Sequence, residues 1–146
     1  MKMPRQFAVA LLAVAAMPWA AGHDFHAGAI GVDRARAGPS TPGQREDAAY
    51  LAITNSGKAD ELVAVSCTVA SSVELRSSAP RGPDGDARTV RSIPIPARGT
   101  LELKPDGYHL AFIALGYSFT AGERIAAKLR FASGLELPVE FEVREP

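Results

Sequence analysis

The sequence predicts an all-β domain, a sandwich or barrel of short strands. Apolar runs of five to ten residues recur at regular spacing, and clusters of Gly, Pro, Asn and Asp separate them. No segment of the chain beyond its start holds helical periodicity for three turns. At 146 residues the chain is one domain's worth, long enough to bury a core.

The first 22 residues stand apart. Lys2 and Arg5 form a basic start, and Phe7 to Met17 is an eleven-residue apolar run. Pro18 breaks the run, and Ala20-Ala21-Gly22 offers small residues at a cleavage point, the pattern of a secretory signal peptide. The run is too short to span a bilayer, which takes roughly 20 apolar residues. No cysteine lies near the cleavage point, so no lipid anchor is expected there. Residues 23–47 read as an amino-terminal tail with one short strand starting near Gly28, followed by a turn-rich approach. The body of the sandwich, 48–146, then shows strands at Ala48–Asn55, Glu61–Thr68, Ser72–Ser77, Arg88–Ile95, Thr100–Lys104, Tyr108–Leu115, Arg124–Ala132 and Leu135–Arg144. Turn signals fall between them, among them Asn55-Ser56-Gly57, Arg98-Gly99 and Pro105-Asp106-Gly107. The Pro- and Gly-rich stretch 79–87 reads as a hairpin loop.

The last two runs predict their own register. Ile125, Ala127, Leu129 and Phe131 share one strand face, and Leu135, Leu137, Val139, Phe141 and Val143 share another. A two-residue turn at Ser133-Gly134 would set Phe131 against Glu136. A three-residue loop over Ala132-Ser133-Gly134 instead sets Phe131 against Leu135 and Leu129 against Leu137. The same register places Arg130 beside Glu136 and Arg124 beside Glu142 on the wet face.

Composition narrows the function. With Lys2 and Arg5 removed, 14 basic residues face 16 acidic ones. Such a chain has no basic excess to neutralise phosphates, which argues against a nucleic-acid partner. Cys67 is the single cysteine. Its place in the alternation after Leu62-Val63-Ala64-Val65 reads as a buried side chain, and no neighbouring His is there to activate it as a thiol. There is no nucleophile elbow, phosphate-cradling loop or recognisable acid–base pair, so an enzyme is not expected.

From about Gly28 onward the chain resembles the periplasmic copper chaperones of the PCuAC family. The likeness rests on Ala48–Gly57 (AAYLAITNSG), Glu61–Ser66 (ELVAVS), Val73-Glu74-Leu75, Ile93–Ala97 (IPIPA) and Gly99–Pro105 (GTLELKP). Its most specific part is the stretch Leu103-Lys104-Pro105 leading to Gly107-Tyr108-His109-Leu110. The resemblance implies a cupredoxin-like Greek-key β-sandwich and a copper-handling role in the periplasm. It also implies a copper-donating or copper-accepting periplasmic or membrane partner. The family holds copper through a His, a Met eleven residues on, a second His twenty-two further and a Met two beyond. Here the second His is His109, and the other three positions hold Arg76, Ala87 and Ala111. The optional Met beside the first His falls at Ser77 or Ser78. Thioethers are the soft ligands that select Cu(I), and all three methionines (Met1, Met3, Met17) lie in the signal segment. A guanidinium has no lone pair to offer a metal. The family's Cu(I) site is therefore expected to be lost, leaving His109 as a packing histidine or as half of a site completed from elsewhere.

A different metal site is suggested at the tail. Cleavage after Gly22 makes His23 the first mature residue, in the run His23-Asp24-Phe25-His26. A free amine and the imidazole of the same residue form a bidentate chelate, His26 adds a third nitrogen, and nitrogen-rich sites suit Cu(II). Two readings follow. One is copper handling through His23 and His26, with or without His109. The other is a metal-free protein-binding module that uses Arg76 and the 79–87 loop as its contact surface.

Overall fold

The computed structural model describes residues 23–78 and 87–145; the expected signal segment and residues 79–86 of the expected loop lie outside the described residues. Within them the chain is all-β, as expected, with eleven strands: β1 Phe25–Ala27, β2 Ile30–Ala37, β3 Glu46–Asn55, β4 Asp60–Cys67, β5 Ala70–Ser77, β6 Arg88–Thr89, β7 Ile93–Ile95, β8 Gly99–Glu102, β9 Tyr108–Leu115, β10 Arg124–Phe131 and β11 Glu136–Val143. Their hydrogen-bonded order is β6-β5-β9-β3-β2-β11-β10-β4-β7, with β1 added to β2 and β8 to β3. All pairings are antiparallel except β11 with β2.

This long path is curled rather than flat. Its two ends, β6 and β7, are consecutive in sequence and joined only by Val90–Ser92. Phe112 of β9 meets Phe141 of β11 edge to face at 5.5 Å, although β3 and β2 separate their strands in the sheet. Those rings touch through the interior, so the two halves of the curl are the two layers of a sandwich. Leu51, Ile53, Leu62, Ile93, Leu110, Ile125, Leu129 and Phe131 complete the sealed core, each at most 1% exposed.

The closing hairpin has the expected register: Leu129 opposes Leu137, Arg130 opposes Glu136 and Arg124 opposes Glu142. Phe131 N–H donates to Leu135 O at 2.9 Å, and Gly134 supplies the left-handed turn residue at φ 90°. Both strands alternate exposed and buried without a break. The ion pairs differ from expectation. Arg124 reaches Glu140 (3.4 Å) and Lys128 reaches Glu136 (3.5 Å), diagonal neighbours that lie within reach of long side chains.

Three expectations are corrected. The strand expected at Arg88–Ile95 is two strands, because Arg88–Thr89 bonds to β5 and Ile93–Ile95 crosses to β4 at the far edge. The short strand expected near Gly28 runs the full eight residues of β2, and residues 25–27 add β1 to its edge. Cys67 is half-buried rather than sealed, because it ends β4 and packs against the core from its margin.

Candidate functional site

The positions corresponding to the family's copper ligands do converge. Arg76 on β5 lies directly opposite His109 on β9, and Glu74 lies opposite Ala111. Ala111 is also opposite Ala48 on β3. Cross-strand partners point to the same side of a sheet, so Arg76, Glu74, His109, Ala111 and Ala48 share the outer face, while Leu75 and Leu110 point into the core. Ala87 is exposed, one residue before β6.

Arg76 now dominates this face. Its Nε and Nη2 donate to Glu74 Oε2 at 3.0 and 2.9 Å, and its Nη1 and Nη2 donate to the two oxygens of Glu46 at 3.0 and 3.2 Å. Thr89 Oγ1 adds a third donor to Glu74 Oε2 at 3.1 Å. Glu74 lies on β5 and Glu46 on β3, the two strands flanking β9. To bridge them the arginine crosses β9 over Ala111, which is left 3% exposed although it faces outward. The guanidinium holds the Glu46 carboxyl below its usual range, and the hydrogen bonds it donates to Glu46 and Glu74 raise Arg76 further. The Arg76 cation thus lies at the position that the resemblance assigns to the first copper ligand. Three of the four ligand positions cannot donate to Cu(I), and the fourth cannot hold it alone.

His109 is packed into the sheet face. It is 8% exposed, with Nδ1 3.1 Å from Gly107 O, and its ring lies 6.4 Å from that of Tyr50.

The amino-terminal histidines lie elsewhere, at the edge made by β1 and β2. His26 is paired with Gly31. The space a side chain at Gly31 would fill is taken by the His23 imidazole. The cross-strand spacing then sets the His23 ring about 5 Å from the β-carbon of His26. His23 Nδ1 is hydrogen-bonded to Asp33 Oδ2 at 2.7 Å, and the Asp24 N–H donates to Asp33 Oδ1 at 2.9 Å. Burial pushes the Asp33 carboxyl up, but the His23 bond and the Asp24 N–H outweigh it and leave it below its usual range. Residues 23–27 are therefore tied to the sheet rather than forming a loose tail. Among the described residues no three His, Cys, Asp or Glu side chains gather as a metal site. His23 and His26 come together, and His109 does not join them.

Sequence reasoning missed the partners of Arg76. Glu74 was legible, being two residues away with opposite charge on the same strand face. Glu46 was not, because 30 residues separate it from Arg76 and only the β3–β9 pairing brings it near.

The curled sandwich, with positions 76, 109 and 111 gathered on the outer face of β5 and β9, is a PCuAC-type domain of cupredoxin-like fold. The chain belongs to the family described as "Putative lipoprotein LpqE-like", whose model matches residues 30–143. It is 29% identical over 119 residues to "Putative lipoprotein Lxx21020" of Leifsonia xyli subsp. xyli, covering 80% of this chain and 72% of that relative. Among solved structures it is 31% identical to the Cu(I) form of DR1885 from Deinococcus radiodurans, with TM-score 0.61 and 76% of each chain covered. The apo PCuAC domain from PmoF1 shares the fold at 19% identity and TM-score 0.73, over 84% of this chain and 99% of that one.

Proposed function

We propose that this protein is an exported copper-handling protein of the PCuAC type whose copper-binding position has moved. In this reading it takes Cu(II) at its amino-terminal histidines instead of Cu(I) at the family site, and exchanges it with a periplasmic or membrane copper protein. The observation that carries it is the His23 imidazole laid over Gly31 beside His26. Two imidazoles and a free amine at His23 make a three-nitrogen set suited to Cu(II). Copper then exchanges the Nδ1 bond to Asp33 for a metal bond and leaves the carboxylate beside the bound cation. The family, and the Cu(I)-bound state of DR1885, support copper as cargo. The lipoprotein name of the relatives supports export. No catalytic role is part of this reading.

The Arg76–Glu46–Glu74 cluster favours a second reading, a metal-free protein-binding module on the same sandwich. It removes the family site without loosening the sheet and leaves an ionic surface in its place.

Native mass spectrometry of tag-free protein from the periplasm, titrated with Cu(II), separates the two. One copper held by a chain starting at His23, and lost in His23→Ala, is the expected result. Processing at another bond, or a correctly processed chain that retains no copper, overturns the first reading and turns the search to protein partners.

A further inference from the structure

We propose that the cavity on the outer face between β2, β3 and the end of β11 binds a small organic anion carrying two carboxylates, held by Arg36 and Arg144. The cavity is about 830 Å³, and its side-chain walls include Arg34, Arg36, Tyr50, Arg144 and Glu145. That volume is in the range of small-molecule sites and far exceeds what an inorganic oxyanion fills.

The register places the three arginines on one side of the sheet. Arg36 is directly opposite Tyr50 on β3, and its guanidinium lies 5.2 Å over the Tyr50 ring. Arg34 reaches Glu102 at 3.9 Å, and Glu102 is opposite Ala52, which shares the Tyr50 face of β3. On β11, Glu142 is opposite Arg36, and Arg144 follows it by one alternation, its N–H bonded to Ala37 O at 3.0 Å. Asp47 borders the cavity from the other side. It is opposite Phe112 and three residues before Tyr50, so its carboxyl points to the core and takes no part in the site.

Arg36 is the feature that points to a ligand. In register it has a carboxylate beside it at Glu142, yet the guanidinium turns the other way, onto Tyr50. Neither Arg36 nor Arg144 forms an ion pair among the described residues. The guanidinium hydrogen bonds among those residues come from Arg76 and Arg124 alone. Stacking on a ring occupies the flat face of a guanidinium and leaves its edge donors to a ligand. Arg36 is half-buried, so its fork is held in place rather than swinging in solvent.

The charges select the ligand class. Glu102 is shared by Arg34 and Lys104, at 3.9 and 4.0 Å. Glu145 is the one carboxylate in the walls on this side, against three guanidinium groups. A cation is therefore repelled. A monocarboxylate engages one fork and leaves the other unfilled. Two carboxylates on a short carbon chain engage Arg36 and Arg144 together, each in the bidentate geometry that guanidinium favours, with the Tyr50 ring as an apolar wall between them.

The test is NMR titration of the full mature protein, free of metal and at constant ionic strength, with succinate, acetate, sulfate and triglutamate. Succinate is expected to shift the amides of Arg36, Tyr50 and Arg144 and to saturate below about 10 mM. Acetate and sulfate should each bind at least about tenfold more weakly, the loss expected for one charge-assisted contact. Arg36→Gln and Arg144→Gln should each weaken succinate by a similar factor, and Arg36→Lys should too, because it keeps the charge but loses the fork. Arg98→Gln, which removes an exposed arginine outside the cavity, should leave binding unchanged, and the spectrum of each variant reports whether it is folded. No saturable binding of succinate, acetate or sulfate binding as well as succinate, or folded Arg36→Gln binding like the parent protein would each overturn the proposal. Triglutamate binding where succinate does not would overturn it in favour of a protein partner.

Discussion

Asp47 shows how a single buried carboxyl can be costly for the fold. Burial pushes it up to about 6 from an ordinary 3.8, against a single compensating hydrogen bond from Ala48 N–H. A raised folded pKa means that the native state holds its proton more tightly than the unfolded chain. Stability from this group is therefore unaffected below about pH 4 and declines as pH rises toward 6, staying low above it. Asp47→Asn should raise stability at pH 7–8 by ~1 kcal/mol, discounted for partial solvent screening. It should also flatten the dependence between pH 4 and 6, read by urea unfolding at each pH. At Arg76 the same scale explains a paired change. The guanidinium that replaces the first histidine lies over position 111, so a methionine there has no room. Ala111→Met alone should cost ~1–3 kcal/mol by overpacking. In an Arg76→His background the cost should fall, and a double-mutant cycle gives the coupling. Strictly additive effects would mean that the arginine does not cover Ala111.

At the scale of elements, the β1–β2 edge and the closing hairpin obey different constraints. The hairpin is local, and its alternation is complete on both strands. The β1–β2 edge depends on a missing side chain. Among the described glycines, Gly31 is the one where a β-carbon would strike the His23 ring, and its φ is not in the left-handed region. Gly31→Ala is thus compatible with the backbone and acts by expelling the imidazole from beside His26 and Asp33. Unfolding free energy should change by less than ~1 kcal/mol. On the proposed copper reading, Cu(II) affinity by competition with a chromophoric chelator should fall by about tenfold, equivalent to one lost ligand contact. Unchanged affinity would remove Gly31, and with it the His23 placement, from the copper site.

For the whole molecule, the core and the candidate metal positions are separate. The interior is apolar and sealed around Phe112, Phe119, Phe131 and Phe141, whereas His23 and His26 lie on an outer edge. On the proposed copper reading, metal should therefore contribute little to folding, in contrast to small domains in which the metal replaces a core. Prolonged treatment with a chelator should leave the Tm within about 2 °C, and Phe112→Ala should lower stability by ~3–5 kcal/mol. A large fall in Tm on chelation would mean that metal is part of the fold.

The sequence alone determined the strand class, the closing hairpin with its register, and the gathering of Arg76, His109 and Ala111 through the family's spacing. The first two follow from period-two alternation and short turns, whose constraints lie within a few residues of one another; the third is implied only by the resemblance, since 33 residues separate Arg76 from His109. It left the reading of the tail open, because an edge pairing of three residues carries almost no alternation to detect. Tertiary structure decided the rest. It split Arg88–Ile95 between opposite edges of the curl, since a strand's alternation is the same whichever neighbour it bonds. It brought Glu46 to Arg76 and left Asp47 Oδ2 without a donor, because both depend on how distant strands close over one another. Hydrophobic pattern specifies which face of a strand is buried; which charged side chains meet on the other face is settled only when the sheet curls.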